Sequence, residues 1–568
     1  MPGLSIGSGL SAGNGLSSAQ GLSRGGGLSF PGFTSLSLNF TTPPLASFLT
    51  PVATSLGTLY DSSGYITYRP NNLLLNSATL STQNVTTTAA SPYILSFKGT
   101  GTVTLSGTST AGPLIGTGGS DRVFLKFSPT AGTLTLTVSG TVTEAQLEAV
   151  TYETEPRTYN ATTGSAYYGP RYDYNPAHGQ SGALLLQELS RTNQISYSTN
   201  LSNAAYAKTN TTATLSAVLG PDNYTASYYI TATAANGNVK YSAGTSTVTA
   251  RCASVFLRRK TGTGVITFGA GTSLVTATDV PSFGWTRYQV NLLGQSGTYS
   301  VTTNVVTVTL TNHGFQTNDS LRVDYTSGTA ADTNISTITV VDANTFTYSQ
   351  TTANTSGNVT VYPASVRLNL ATNTDEVYSF GWHFELGYGA TSYIPTNGAV
   401  ITRTVEYIKA DGTDFTNNFS INNGAYLIDF VCAADTIPST GVGAGATFLT
   451  VGNIAGSTTT LSTFLNLSDD SIRLSSTGGA TIVSSKPSFS FGERVKIGAS
   501  FNRATQPFTL AYKDGVNSST NASFPTPDRL VLNSSITFTN NSAIWLKRLN
   551  YYNSYKTGAE MLALMAGM

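Results

Sequence analysis

The chain has 568 residues, only 10% of them charged, and its 29 Lys and Arg against 28 Asp and Glu give a formal net charge of +1. This balance excludes a nucleic-acid binder, which needs a cationic stripe, and a hydrophobic share of 39% argues against disorder. No apolar run reaches the about 18 residues of a membrane span, and the first basic residue is Arg24, so we expect neither membrane insertion nor a signal peptide. Cys252 and Cys432 allow no disulfide framework beyond one bridge.

Residues 1–30 are predicted to form an extended arm. Gly-Leu-Ser recurs with a period of six, and every odd position from Gly3 to Ser29 is Gly, Ser or Ala. Alternate side chains of an extended strand point to opposite faces, so one face is flat and the other is apolar. Glycine loses too much entropy for such a segment to order alone, and we expect it to order against partner chains. The residues predicted to anchor it to a particle are Leu4, Leu10, Leu16, Leu22 and Leu28. The alternative interpretation is a flexible Gly/Ser linker.

Beyond residue 30, alternating Val, Thr and Leu between Gly, Asn and Ser clusters predicts short antiparallel strands. The predicted fold class is all-β, with several antiparallel β-sandwich (jelly-roll) domains in series behind the extended Gly/Leu/Ser arm. Helical spacing is confined to Thr557–Ala566 and a shorter segment at Asn203–Lys208.

An internal repeat defines the domains. Tyr93–Lys98 and Val255–Lys260 are similar, and each Lys is followed nine residues later by Gly. We therefore expect two related jelly rolls. The second is too long for one sandwich, and a self-contained insert explains the surplus, because insertions are tolerated where their ends are close. The predicted parts are connectors at 31–70 and 161–195, jelly rolls at 71–160 and 196–405, the insert at 298–362, and a further sandwich at 406–568.

Three segments carry a resemblance to known proteins. Trp382–Thr396 resembles the closing strand and loop of carbohydrate-binding-module-like jelly rolls, which are common in tailed-bacteriophage fibres and other virion proteins. Asn312–Leu321 is similar to small β modules of phage fibres, and Arg494–Phe501 resembles part of a laminin-G or concanavalin-like sandwich. The resemblance implies a tailed-phage virion fibre or spike protein, with homotrimeric assembly as the usual state of such proteins.

Catalytic and metal-binding motifs are not predicted. The three histidines, His178, His313 and His383, lie in separate segments, so we expect no metal site and no cofactor. Glycoside hydrolysis needs two carboxylates beside a cleft. The candidate pairs are Glu144 with Glu148, Glu153 with Glu155, and Asp375 with Glu376, and we interpret Glu153 and Glu155, which flank a Pro-Arg turn, as solvated. We expect Glu385 to form an ion pair with Arg403, and the chain not to be an enzyme.

Sugar binding is the more serious possibility, because aromatic faces stack on pyranose rings. Trp285, Trp382 and Trp545 lie on strand-like patterns and are predicted to be core residues. The loop tyrosines are the exposed candidates, and none is singled out as a ligand: Tyr167, Tyr168, Tyr172, Tyr224 and Tyr228.

The sequence therefore predicts a structural virion protein, assembled in the host cytoplasm. The arm would bind other virion proteins, and the β modules would contact host surface polysaccharide through weak contacts multiplied by repeated copies. A capsid head fibre or decoration protein remains the alternative, and a glycan depolymerase is a lesser one.

Overall fold

The structure is a computed structural model that describes residues 36–243, 247, 250–277, 279–433, 446–455, 457–466, 471–477, 481–485, 490–512, 515–520, 524–535 and 542–568. Its regular structure is almost entirely antiparallel strands, which confirms the all-β fold class. The five leucines assigned to anchoring, Leu4, Leu10, Leu16, Leu22 and Leu28, lie outside the described residues.

The first jelly roll packs two small sheets face to face. Alternate side chains along the strands fill the core between the two sheets, as in Gly132–Ser139, where Leu134 and Leu136 are buried. One sheet has three strands, in the spatial order Val123–Phe127, Tyr93–Gly99 and Val142–Ala149. The other has four, in the order Gln83–Thr87, Gly132–Ser139, Thr102–Gly107 and Leu114–Ile115.

The second jelly roll is larger and has Trp382 at its centre. The Trp382 ring is completely buried, with its centroid 5.3 Å from that of Tyr206 and 5.4 Å from that of Phe268. The inner sheet has the order Tyr206–Thr209, Gly237–Ser242, Ser365–Leu370, Ile266–Ala270 and Ser273–Ala277. The outer sheet has the order Thr211–Leu219, Ala226–Ala232, Glu376–Leu386, Arg251–Thr261 and Thr286–Asn291.

The insert is one seven-stranded sheet with its own core. Its first strand pairs with its last, with Gln295 opposite Val361, so its two ends meet on the jelly roll. A buried ion pair between Asp319 and Arg367 fixes it there. The strand order is Thr333–Ile335, Leu321–Tyr325, Ser356–Pro363, Gln295–Thr302, Val305–Thr309, Thr345–Ser349 and Thr339–Asp342.

The C-terminal sandwich draws strands from distant parts of the chain. One sheet has the order Arg171–Asp173, Leu184–Gln187, Ile544–Tyr552, Asn423–Cys432, Arg494–Asn502, Pro507–Tyr512 and Gly515–Thr520, with Leu36–Asn39 also pairing to Ile544–Tyr552. The other has the order Thr50–Val52, Tyr407–Asp411, Arg529–Leu532, Ala446–Asn453, Thr458–Asn466, Ser471–Ser475 and Ile482–Ser485.

The segments expected to be connectors therefore differ from the prediction. Both 31–70 and 161–195 supply strands to the C-terminal sandwich, because their apolar side chains complete its core: Leu36 and Leu38 from the first, and Leu185 from the second. The chain enters this sandwich, builds both jelly rolls and returns to it.

Short elements complete the fold. Three two-stranded ladders pair Thr58–Tyr60 with Ile66–Tyr68, Asn71–Asn72 with Tyr167–Tyr168, and Arg191–Asn193 with Ile401–Arg403. A 3₁₀ turn spans Pro176–His178, and short helical segments span Thr413–Thr416 and Gly558–Ala566.

The two helix predictions have different outcomes. The C-terminal helix is confirmed, with Thr557 and Glu560 forming a capping box. The helix predicted at Asn203–Lys208 is wrong, because the Asn203 side chain accepts a hydrogen bond from the backbone of Ala205 at 2.9 Å and favours a turn. Among the described helices, none is long and apolar enough to cross a bilayer.

Five buried ionised side chains meet where the three sandwiches join, and we name them the junction network: Arg69, Arg171, Glu188, Arg403 and Glu406. Each is 2% exposed or less. Arg69 Nη1 lies 2.7 Å from Glu406 Oε1, and Arg171 also contacts Glu406. Glu188 Oε2 lies 2.6 Å from Arg171 Nη2 and 3.1 Å from Arg403 Nη1.

The electrostatics of the junction network favour its charged form. Burial opposes ionisation of Glu188, but Arg403 and Arg171 outweigh burial and lower its pKa to about 2. For Arg69 burial is the larger effect. It outweighs the attraction of Glu406 and lowers the pKa of the guanidinium to about 10, which disfavours its charged form. Glu188 and Arg69 therefore stay ionised at neutral pH, and their burial carries a desolvation cost.

Replacing Glu406 with Gln should destabilise the protein by about 3–5 kcal/mol, because Arg69 and Arg171 would lose a buried counter-ion. Urea unfolding followed by tryptophan fluorescence measures the change. The matched control is Lys409→Gln, which breaks a half-exposed pair with Asp411 and should cost less than about 1 kcal/mol. Equal losses in the two variants would contradict a structural role for the network.

Acid should weaken the fold through Glu188. Its pKa lies below the ordinary value of 4.5 in the folded state, so its contribution is present above that value and is lost as the pH falls toward about 2. Unfolding midpoints measured across this window should fall less steeply in Glu188→Gln than in the wild type. Parallel slopes would show that Glu188 is not coupled to folding.

Candidate functional site

A surface groove lies where three segments meet on the outer face of the second jelly roll, and we name it the aromatic groove. The segments are the turn at 61–65, the loop at 218–223 and the residues leading into strand Thr286–Asn291. The groove has a volume of about 480 Å³. Its lining residues are mostly apolar or aromatic: Tyr60, Gly64, Tyr65, Val218, Leu219, Gly220, Pro221, Asn223, Phe256, Arg258, Gly284 and Trp285.

The turn at 61–65 is held by one carboxylate. Oδ1 of Asp61 accepts hydrogen bonds from the backbone of Ser63 at 2.8 Å and of Tyr65 at 2.9 Å, and the Tyr152 hydroxyl donates to Oδ2. Gly64 takes φ +81°, which favours glycine. The turn thus presents Tyr65, which is 37% exposed and whose ring lies edge-on to that of Tyr152 at 5.4 Å.

The loop at 218–223 is fixed to both of its neighbours. A Cβ on Gly220 would come 2.3 Å from the Phe380 ring, so only glycine allows the loop to lie this close to the sheet. The carbonyl of Pro221 accepts a hydrogen bond from the backbone of Ile66 at 2.9 Å. The groove therefore joins the hairpin ahead of the first jelly roll to the body of the second.

Trp285 forms the third wall. Its Nε1 donates to the carbonyl of Leu219 at 3.1 Å, and its ring centroid lies 6.2 Å from that of Phe380. The indole is half-buried, so its prediction as a core residue is wrong, because it precedes the strand that begins at Thr286. The core predictions for Trp382 and Trp545 are confirmed.

Arg258 is the only charged side chain among the described residues that line the groove. It follows Phe256 along the outer face of strand Arg251–Thr261, whereas Val255 and Leu257 point into the core. Its Nε donates to the carbonyl of Ser282 at 3.0 Å. Within the described part of the chain it forms no ion pair with a carboxylate.

The loop tyrosines named from the sequence are not brought together. Tyr167 and Tyr168 pair with Asn71–Asn72, and Tyr172 packs beside the core of the C-terminal sandwich. The Tyr228 hydroxyl donates to Asn200 at 3.0 Å. Tyr224 is exposed, but it lines a neighbouring cleft of about 470 Å³ and lies under the ammonium of Lys126. None of these five lines the aromatic groove.

The candidate carboxylates also lie elsewhere. Glu144 pairs with Lys98 at 2.9 Å and Glu376 with Lys260 at 2.7 Å, and Glu155 is exposed. Glu148 is completely buried, and burial raises its pKa. The remaining two each contact an arginine: Glu153 contacts Arg157, and Asp375 lies 3.4 Å from Arg259.

Glu385 and Arg403 do not form the expected ion pair. Glu385 accepts a hydrogen bond from the backbone of Thr391 at 2.9 Å and lies 3.3 Å from His383 Nε2, whereas Arg403 pairs with Glu188. Burial lowers the pKa of His383 to about 4. No cluster of three His, Cys, Asp or Glu side chains suited to a metal occurs in the described ranges.

Comparisons with known proteins find distant structural neighbours. No family model and no curated protein sequence matches the chain. The carbohydrate-binding module CBM40 of a Ruminococcus gnavus sialidase shares 12% identity over 26% of this chain and 84% of that chain, at a TM-score of 0.20. Mouse laminin α1 domains LG4-5 share 10% identity over 56% and 85%, at 0.15. The Trypanosoma rangeli sialidase shares 10% over 92% and 99%, at 0.21. Similarity this low gives no basis for transferring residues or activities.

The three tryptophans should differ in their access to quenchers. Acrylamide should quench one component of the fluorescence, from half-buried Trp285, and leave buried Trp382 and Trp545 shielded. Trp285→Phe should remove that component, as Stern–Volmer plots would show. An unchanged accessible fraction in the variant would place the exposed indole elsewhere.

Proposed function

We propose that this protein is a structural component of a tailed-phage virion, a tail fibre or spike, and that its aromatic groove contacts glycans on the host surface. The observation that carries the glycan contact is the pairing of partly exposed Trp285 and Tyr65 in a groove built on a rigid sandwich. The sequence resemblance to phage fibre modules supports the virion role.

The chemistry of the groove suits a sugar. Aromatic rings offer apolar faces to the C–H groups of a pyranose, and the Asn223 amide supplies both a donor and an acceptor for hydroxyl groups. The indole is held by its bond to the Leu219 carbonyl, so little conformational freedom is lost on binding. One such groove binds weakly, and repeated copies in a homotrimer raise the avidity.

In a virion, the arm at 1–30 would attach the protein to the particle. Its leucine face would bind other virion proteins, and the sandwiches would project outward. Electron microscopy of virions labelled with an antibody to the C-terminal sandwich distinguishes tail from head. Label on the capsid would contradict the tail location and indicate a head fibre or decoration protein.

The proposal contains no catalytic step. Host polysaccharide incubated with the protein should yield no new reducing ends. Sustained release of oligosaccharides would contradict the proposed adhesin function and indicate a depolymerase.

Adhesion tests the groove directly. Labelled full-length protein should bind cells of a bacterium that the virions infect, and Trp285→Ala or Tyr65→Ala should weaken binding about tenfold, given the about 1–1.5 kcal/mol typical of an aromatic contact. The matched control is Phe124→Ala, which removes a ring that is 45% exposed on the first jelly roll. Full binding by both groove variants would exclude this groove as the contact.

A further inference from the structure

We infer that the glycan unit held in the aromatic groove is acidic and that Arg258 recognises its carboxylate. This inference rests on the proposed function and names the class of sugar. The observation behind it is the charge of the lining, which comprises Arg258 and no acidic side chain within the described residues.

Arg258 differs from several arginines of the same jelly roll. Arg259, its neighbour in the strand, lies 3.4 Å from Asp375, and Arg367 and Arg403 are each paired with a carboxylate. Within the part of the chain that the structure describes, the Arg258 side chain donates one hydrogen bond, from Nε to the carbonyl of Ser282. Its positive charge is therefore not neutralised by an ion pair within the groove.

The guanidinium is also held in position. The bond from Nε to Ser282 fixes one edge, and the Tyr378 ring lies beneath the group, with its centroid 5.8 Å from Cζ. Neither contact uses the two terminal nitrogens, which are the pair that binds a carboxylate through two parallel hydrogen bonds. A ligand carboxylate would meet a donor that is already oriented.

The other lining groups place the sugar ring. Trp285 and Tyr65 provide aromatic surface, and Asn223 provides a polar contact. A ring that stacks on the indole would lie in the same groove as the Arg258 guanidinium. A neutral sugar would cover the same surface while leaving the guanidinium without its ionic partner, and a hydrogen bond to a charged group is worth about 1.5–3 kcal/mol.

The charge of the groove also distinguishes this ligand from a second copy of the chain. The protein is almost neutral, and its exposed apolar side chains beside the groove, such as Phe283 at 85% exposure, carry no charge to complement Arg258. An acidic saccharide satisfies both the aromatic surface and the guanidinium.

The test uses full-length protein and defined probes. Trigalacturonate and 3′-sialyllactose carry carboxylates, and galactotriose and lactose are their neutral counterparts. Wild-type protein should bind at least one acidic probe about tenfold or more tightly than its neutral counterpart. Arg258→Gln should lose that preference, and Arg258→Lys, which keeps the charge but not the two-pronged geometry, should retain part of it.

The matched control is Lys208→Gln, which removes one positive charge from the inner sheet of the same jelly roll. It should bind the acidic probe like the wild type. Thermal unfolding of each variant checks that the fold is intact. Binding of acidic and neutral probes with equal affinity, or an unchanged preference in Arg258→Gln, would overturn the inference.

The two levels of the proposal fail differently. Adhesion and neutral-sugar binding that depend on Trp285, without preference for a carboxylate, would reject the acidic class and keep the glycan-binding groove. Binding to no probe, together with no adhesion to host cells, would reject both.

Discussion

The junction network is the constraint on which the rest of the molecule depends. Three arginines and two glutamates are desolvated together, and each is tolerated only because it contacts at least one side chain of opposite charge. The five residues are spread along the chain, and the first and last of them, Arg69 and Glu406, are 337 positions apart. The network therefore forms only when the hairpin, both connecting segments and the strand after the second jelly roll are all in place, which couples the docking of the sandwiches.

The aromatic groove depends on this junction. Arg171 donates from Nη1 to the carbonyl of Thr58 at 2.8 Å, and Thr58 begins the hairpin whose turn carries Tyr65. Trp285, the third wall, precedes strand Thr286–Asn291 of the second jelly roll. The distance between Tyr65 and Trp285 thus depends on how firmly the hairpin is held, and the buried charges help to fix the shape of the groove.

Periodicity predicted the elements that are local. Alternation predicted short strands throughout the chain beyond residue 30, and the insert, predicted at 298–362, runs from Gln295 to Pro363. The helical period of Thr557–Ala566 predicted the final helix. The strands Leu36–Asn39 and Thr50–Val52 were missed because three or four residues carry little periodic signal, and their partners lie at the other end of the chain.

The groove could not be read from the sequence for a related reason. Trp285 is half-buried because the loop at 218–223 covers one part of it, and Arg258 lines the groove because its strand faces outward there. Both facts depend on contacts between remote segments. A partial signal was present in Pro281–Trp285, since Pro and Gly beside aromatic residues are typical of a loop rather than a strand.

Entry and exit through one sandwich have a mechanical consequence. Leu36–Asn39 lies antiparallel to the end of Ile544–Tyr552, with Leu36 opposite Tyr551. Tension applied through the preceding residues would load this four-residue ladder before any jelly roll. Pulling there would therefore separate Leu36–Asn39 from the C-terminal sandwich first, while the two jelly rolls kept their shape.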